Sequence, residues 1–229
     1  MNKEEQNLTK KLLKGQLLSK LVNFFFSRDE HRKEVHTSVA DNAYDDRKNR
    51  PDLFLFFRAL PCWSKDTSLT SRRSRLKQML KKSVIVELKT NAGDLLSERT
   101  PGQLRKYRGS SNMLFLGVPD PIIEIAACEI MKWDEMAPHV GLIDISKGDI
   151  VIMPTQNIKP DWSRINALIA HEEDRKVTDP NNELYKDRVF RPDEFCDKFV
   201  SWCGVSVNPN YIKRIENYKK ALPIGTQHL

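Results

Sequence analysis

The chain reads as an α/β protein with a helical C-terminal extension, and three observations lead there. Short apolar runs bounded by polar turns alternate with segments whose apolar residues recur at helical spacing. Two of the runs, around Leu53 to Phe57 and Val84 to Val86, are apolar at successive positions, the pattern of strands buried on both faces of a helix-covered sheet. Beyond Pro154 the spacing turns helical, which divides the chain into a core of residues 1–154 and an extension of residues 155–229.

Taken in order, Leu8, Leu12, Leu13, Leu17, Leu18, Leu21, Val22 and Phe25 predict one amphipathic first helix ending at Phe26. The cluster Phe24, Phe25 and Phe26 is expected in the core or a dimer interface. Glu34 to Val39 follows as a short strand and Asp41 to Asn49 as a polar loop, after which Arg50-Pro51-Asp52 opens the strand Leu53 to Phe57. Residues 58–83 then read as a basic insertion, with seven cations between Lys65 and Lys82 against one acid, Asp66. Ser83 to Leu88 is the next strand, running into Glu87-Leu88-Lys89.

Thr100-Pro101-Gly102-Gln103 has the form of a helix start, with Thr100 as N-cap, Pro101 at the first helical position and Gln103 closing a capping box, and the helix runs to about Tyr107. Met113 to Val118 is a strand, Ile122 to Trp133 a helix, and Val140 to Met153 two strands joined at Ser146-Lys147-Gly148-Asp149. In the extension, Asp161 caps a helix carrying Trp162, Ile165, Leu168 and Ile169. Phe195, Phe199 and Trp202, then Tyr211, Ile215 and Tyr218, continue the helical pattern, and Trp162, Trp202 and Tyr211 are expected to pack it.

Lysine and arginine total 38 against 31 acids, a net charge of +7 that admits a polyanionic partner. No apolar run approaches the ~20 residues that span a bilayer, and the first residues lack the pattern of a secretory signal, so a cytoplasmic protein with no membrane partner is expected. Cys62, Cys128, Cys196 and Cys203 form no Cys-x-x-Cys pair and read as reduced thiols, mostly in the core. His31, His36, His139 and His171 are scattered and suggest no histidine metal site.

The chemistry resides in Asp52, Glu87 and Lys89. Residues two apart in a strand point to one side, so Glu87 and Lys89 face one way and Leu88 the other. A neighbouring strand that brings Asp52 beside Glu87 supplies two carboxylates, and the Leu88 carbonyl adds a third hard oxygen, a set that suits magnesium, with manganese as substitute. Such an ion polarises a phosphodiester and activates water, while Lys89 orients that water or stabilises charge on the phosphate. Acidic-x-Lys triplets occur three times, about what composition alone produces. The others, Asp46-Arg47-Lys48 and Asp174-Arg175-Lys176, follow no apolar strand, so context singles out Glu87-Leu88-Lys89.

Through Pro51-Asp52 and Glu87-Leu88-Lys89 the sequence resembles the PD-(D/E)xK nuclease superfamily, and the element order over about residues 7–154 is similar to that family's core. Gln103 and Tyr107 match the Gln-x-x-x-Tyr pattern that follows the lysine strand in the branch resembling RecB-type and lambda-exonuclease-type nucleases. The resemblance implies a restriction-endonuclease-like fold, a mixed central sheet flanked by helices, and a magnesium-dependent DNA endonuclease. It implies Asp52, Glu87, Lys89, Gln103 and Tyr107 as catalytic residues, and Asp52, Glu87 and the Leu88 carbonyl as metal ligands. Glu30 or Glu34 would stand in for an acid that many members carry on the first helix.

Arg72, Arg73, Arg75, Lys77, Lys81 and Lys82 of the insertion are the expected contacts to the phosphates of double-stranded DNA, in a salt-dependent and sequence-blind way. Cutting both strands calls for two centres, hence a homodimer. Two alternatives stay open at this point: a nucleic-acid-binding protein on the same fold whose chemistry is lost or partner-dependent, and a nuclease directed at RNA.

Overall fold

The structure, a computed structural model, describes residues 3–14, 16–26, 34–41, 43–60, 80–178, 188–190 and 209–222. Two helices come first, α1 (Lys3–Lys14) and α2 (Leu17–Phe26), then strands β1 (Glu34–Asp41), β2 (Leu53–Leu60) and β3 (Leu80–Leu88). One helical turn, α3 (Ala92–Leu95), and helix α4 (Arg99–Tyr107) lead to β4 (Met113–Val118), and α5 (Ile123–Met131) leads to β5 (Val140–Asp144) and β6 (Asp149–Ile152). Helix α6 (Trp162–Thr178), strand β7 (Arg188–Phe190) and helix α7 (Pro209–Ala221) follow. The single first helix expected from the periodicity is therefore two. Gly15 stands between them in the sequence, and only proline is a poorer helix former than glycine.

The strands form one mixed sheet in the order β6-β5-β4-β3-β2-β1-β7. β3, β4 and β5 run parallel, while β1, β2 and the edge strands β6 and β7 are antiparallel to their neighbours. The α/β class read from the sequence holds. Alternation along β2 explains its unbroken apolar run: Leu53, Leu55 and Phe57 enter the core beneath α1 and α2, and Phe54 and Phe56 the core on the other face with Leu104 of α4 and Ile123 of α5. Glu87 lies on the α4 face and Leu88 in the core beneath α1 and α2.

β2 and β3 are longer than the apolar runs suggest. Ala59 pairs with Leu80, Arg58 with Lys81 and Phe57 with Lys82, so residues 58–60 and 80–83, expected within the basic insertion, are strand. Charged residues broke the apolar signal there, yet they suit a strand because their charged ends lie over aromatic rings. Arg58 sits over Phe56 at 5.9 Å, Lys81 over Trp162 at 6.0 Å and Lys82 over Phe25 at 5.9 Å.

The region after Pro154 is not wholly helical, because β7 adds to the sheet beside β1. Ile165 and Leu168 of α6 and Tyr211 and Ile215 of α7 share the core that contains Leu104 and Ile123. Tyr211 Oη donates to Asp144 Oδ2 at 2.7 Å, and Arg214 donates to Glu124 Oε1 at 2.6 Å and to Asp120 Oδ1 at 2.8 Å, docking α7 on the ends of β4 and β5. Asp161 accepts from Ser163 N at 2.9 Å, the expected cap, but Trp162 is 41% exposed rather than packed inside. Phe26 is buried, with Phe24 and Phe25 packed half-buried against the same core. Burial pushes the Cys128 thiol up, and that residue is half-buried. Cys62, Cys196, Cys203, Phe195, Phe199 and Trp202 lie outside the described residues. Among the described residues no helix is long and apolar enough to cross a membrane.

Candidate active site

The site is assembled by strand register. Leu53 stands opposite Val86, so continuing the antiparallel ladder by one residue sets Asp52 against Glu87. The Asp52 carboxylate turns to the strand edge, where Oδ2 accepts the Leu88 N–H at 2.8 Å. Lys89 prolongs β3 along β4, its N–H donating to the Gly117 carbonyl at 2.9 Å, and thereby keeps its side chain on the Glu87 face.

Helix α4 closes that face. Gln103 and Tyr107 lie one turn apart on it, both directed at the end of β3. Lys89 Nζ donates to Glu87 Oε1 at 2.8 Å and to Gln103 Oε1 at 2.9 Å. Tyr107 Oη donates to the Arg50 carbonyl at 2.9 Å, two residues before Asp52. The predicted capping box does not form. The helix begins at Arg99 behind Glu98, which makes no side-chain cap, and Thr100 Oγ1 donates instead to the Asp94 carbonyl at 2.8 Å. Gln103 has no box to close, and it holds the lysine.

The charges in this space are not balanced. Glu87 is 2% exposed, and burial, with the Asp52 charge beside it, pushes it up to about 7 against the pull of Lys89. The Tyr107 hydroxyl also lies within reach of this carboxylate, but its one proton goes to the Arg50 carbonyl at 2.9 Å, which leaves Oε2 without a donor. A buried carboxylate oxygen left unsatisfied beside a second carboxylate calls for a cation. The donor set is oxygen, hard and anionic, which fits magnesium or manganese. Burial and the same two carboxylates hold the Tyr107 phenol well above its usual range, so it remains a donor at neutral pH. Among the described residues no third His, Cys, Asp or Glu joins the pair to complete a ligand group.

One element escaped the sequence reading. Asp45, 1% exposed, organises the loop that delivers Asp52. Its Oδ1 accepts from Arg47 N at 3.0 Å and Asn49 N at 3.0 Å, and its Oδ2 from Ser110 Oγ at 2.9 Å and Arg164 Nε at 2.8 Å. Arg164 also donates to the Lys106 carbonyl at 2.6 Å, tying the loop to the last turn of α4. Burial pushes the Asp45 carboxyl up, but the bonds from Asn49, Arg164 and Ser110 outweigh it and hold the group below its usual range. The available signal was Asp45 followed by Asn49 in a polar turn, a spacing that satisfies backbone N–H groups locally. The arginine 119 residues away left no local trace.

The structure thus brings together Asp52, Glu87, Leu88, Lys89, Gln103 and Tyr107. Other candidates fall elsewhere. Lys81 and Lys82, expected to flank the site, sit near the start of β3, about 16 to 20 Å from Glu87 at strand rise. Glu34 opens β1 opposite Leu60, at the far end from Asp52, which excludes it as a ligand there. Arg72, Arg73, Arg75, Lys77 and Glu30 lie outside the described residues.

Fold and site together define an α/β protein whose mixed sheet carries a pair of carboxylates, buried Glu87 and half-buried Asp52, and a lysine at the junction of its central strands. Known protein families and curated proteins give no match to the chain. Among solved structures, a protein of unknown function from Silicibacter pomeroyi is similar, with 14% identity over 74% of this chain and 94% of its own, and a TM-score of 0.36.

Proposed function

We propose that the protein is a magnesium-dependent DNA nuclease of the restriction-endonuclease-like type. The observation that carries this reading is the unpartnered Oε2 of buried Glu87, set beside Asp52 and flanked by Lys89. Asp52, Glu87 and the Leu88 carbonyl would hold the ion, and the chemistry it supplies is polarisation of the phosphodiester and acidification of a bound water. The chain's own residues do the rest. Lys89, fixed between Glu87 and Gln103, presents a cation where negative charge develops on the phosphate. Tyr107 keeps its proton and holds the Arg50 carbonyl, which sets the approach of the Asp52 strand. Hydrolysis then yields two ends from one phosphodiester.

The test is incubation of supercoiled, linear and single-stranded DNA with wild type and Lys89→Ala in magnesium, manganese or EDTA. Metal-dependent loss of DNA with wild type alone supports the reading, and equal cutting by a clean Lys89→Ala preparation ends it. A second reading, a nucleic-acid-binding protein without cleavage, is favoured by the two-carboxylate site, in which Lys89 is already held by Glu87 and Gln103. Calorimetry separates the two, because the binding protein takes up DNA without magnesium or manganese.

A further inference from the structure

The loop between β1 and β2 presents Arg47, Lys48 and Arg50 to solvent, with Asp46 its one exposed acid. Ordinary surface loops carrying such charges are mobile, and their cations are individually weak. This loop is built otherwise. Asp45 N donates to the Asn49 carbonyl at 3.2 Å and Lys48 N to the Asp45 carbonyl at 2.8 Å, closing a tight turn that sets Lys48 at φ 57°. Inside the turn the buried Asp45 carboxylate accepts six further bonds, from Arg47, Asn49, Ser110 and Arg164. Arg164 neutralises that carboxylate from behind, so the charge the turn shows to solvent is cationic.

Arg50 is held in addition from the side. Its guanidinium carbon lies 5.5 Å from the centroid of the Tyr44 ring, and that ring lies 3.9 Å from the ring of His171 on α6. Tyr44 is 38% exposed, a large ring spent on positioning a guanidinium at the surface. Through Arg164, which also binds the Lys106 carbonyl, the exposed Lys106 of α4 is tied to the same rim. The cations therefore belong to two elements joined by one buried ion pair, and the loop ends at Asp52 itself.

We propose that this loop, with Arg50 as its central residue and Arg47, Lys48 and Lys106 around it, is a preorganised clamp for the phosphates of a DNA strand entering the Asp52 and Glu87 site. The proposal rests on the nuclease reading for the chemistry at that site, while the clamp itself is tested by binding. With the loop backbone fixed and the Arg50 guanidinium held over Tyr44, less entropy is lost on meeting a polyanion than from a mobile loop, and the planar guanidinium matches two phosphate oxygens at once. The contacts are to backbone, so they position the strand without reading its sequence. Asp46-Arg47-Lys48, which in letters imitates the catalytic triplet, supplies two of the cations.

The experiment measures binding of a short fluorescein-labelled DNA duplex in EDTA, where no strand is cut, as a function of salt. Three proteins are compared: wild type, the triple variant Arg47→Ala/Lys48→Ala/Arg50→Ala, and Lys213→Ala/Lys219→Ala/Lys220→Ala, which removes the same charge from exposed positions on α7. Each lost phosphate contact lowers the log–log salt slope by about 0.9, so the loop variant is expected to lose about 2 to 3 in slope and tenfold or more in affinity. The α7 variant is expected to lose under half as much. Tyr44→Ala, which keeps every charge, weakens binding several-fold, and Tyr44→Phe restores it. Equal losses in the loop and α7 variants, an unchanged slope in the loop variant, or no binding by wild type would each overturn the clamp. Cleavage in magnesium is read separately: binding that depends on the loop without any cutting leaves the clamp and removes the nuclease, whereas cutting with an unchanged KM in the loop variant does the reverse.

Discussion

Gln103 shares the Lys89 ammonium with Glu87: it lies 2.9 Å from the amide oxygen of the first and 2.8 Å from the carboxylate of the second. A lysine side chain has four rotatable bonds and loses its value as a fixed charge unless something stops it turning. Glu87 alone would hold it, but would also draw it toward the proposed metal ligands and away from the phosphate of the proposed substrate. Gln103 supplies a neutral second anchor. Gln103→Ala is therefore expected to lower kcat by about 10- to 100-fold with KM little changed, and Lys89→Ala by about 1,000-fold, as for other groups that stabilise transition-state charge. Steady-state cleavage at varied DNA concentration decides this, and a Gln103→Ala loss confined to KM would assign the glutamine to substrate binding instead.

Glu87 makes the metal-free protein sensitive to pH in an unusual direction. Its folded-state value near 7 lies above the ordinary value of 4.5, so between those limits the native state holds a proton that the unfolded chain has released. Stability is full below about 4.5 and falls as pH rises toward about 7, where the buried carboxylate ionises. Glu87→Gln removes the dependence. Denaturant unfolding in EDTA should show the variant gaining on wild type by on the order of 2 kcal/mol between those pH values. A parallel pair of pH curves would show that Glu87 ionises in the fold as it does in water.

Strand-level features were legible because they depend on neighbours two residues away. The alternation that sets Glu87 and Lys89 on one face and Leu88 on the other follows from the strand period, and the apolar run Leu53 to Phe57 follows from a sheet covered on both sides. The ends of β2 and β3 were hidden because charged residues stand there, Arg58 over Phe56 of its own strand and Lys81 and Lys82 over aromatic rings on other elements. Gln103 fits a local use as a capping residue at a helix start, and only the Gln-x-x-x-Tyr resemblance points it to the site. Its long-range use required knowing that β3 ends beside α4. The Asp45 and Arg164 pair, which holds the loop into Asp52, was out of reach for the same reason.

That pair should dominate the stability of the loop. Both partners are nearly buried, with side-chain exposures of 1% and 7%. Removing one leaves the other charged and uncompensated, which typically costs about 3–5 kcal/mol. Arg164→Ala is expected to fall in that range and to loosen residues 45–50, seen as faster amide exchange at Arg47 and Asn49. Because hydrogen bonds hold Asp45 below its usual range, its contribution is present above the unfolded carboxylate value and is lost as pH falls through the lower folded one. Wild type should therefore lose its advantage over Arg164→Ala in acid, and an advantage unchanged down to pH ~2 would show that packing of the arginine stem, not the ion pair, carries the effect.

Two glycines in the parallel strands separate stability from site geometry. A Cβ on Gly141 of β5 would lie 2.7 Å from the Ile152 carbonyl oxygen and 2.4 Å from the Phe115 ring, backbone and a buried ring that have nowhere to move. A Cβ on Gly117 of β4 would meet the Leu88 side chain at 2.7 Å and Ile145 at 2.8 Å, and Gly117 is also the residue whose carbonyl receives the Lys89 N–H. Leu88 can turn away, but it is the residue between Glu87 and Lys89, and its N–H holds Asp52. Gly141→Ala should cost roughly 1–3 kcal/mol in unfolding free energy, as overpacked cores do, with the cleavage rate of the folded fraction close to wild type. Gly117→Ala should lose less stability and more rate, because displacing Leu88 shifts three of the residues that meet at the site. Unfolding curves and single-turnover cleavage on the same preparations would show the two effects crossing, and a Gly117→Ala protein with wild-type rate would mean that β3 yields without moving Asp52, Glu87 or Lys89.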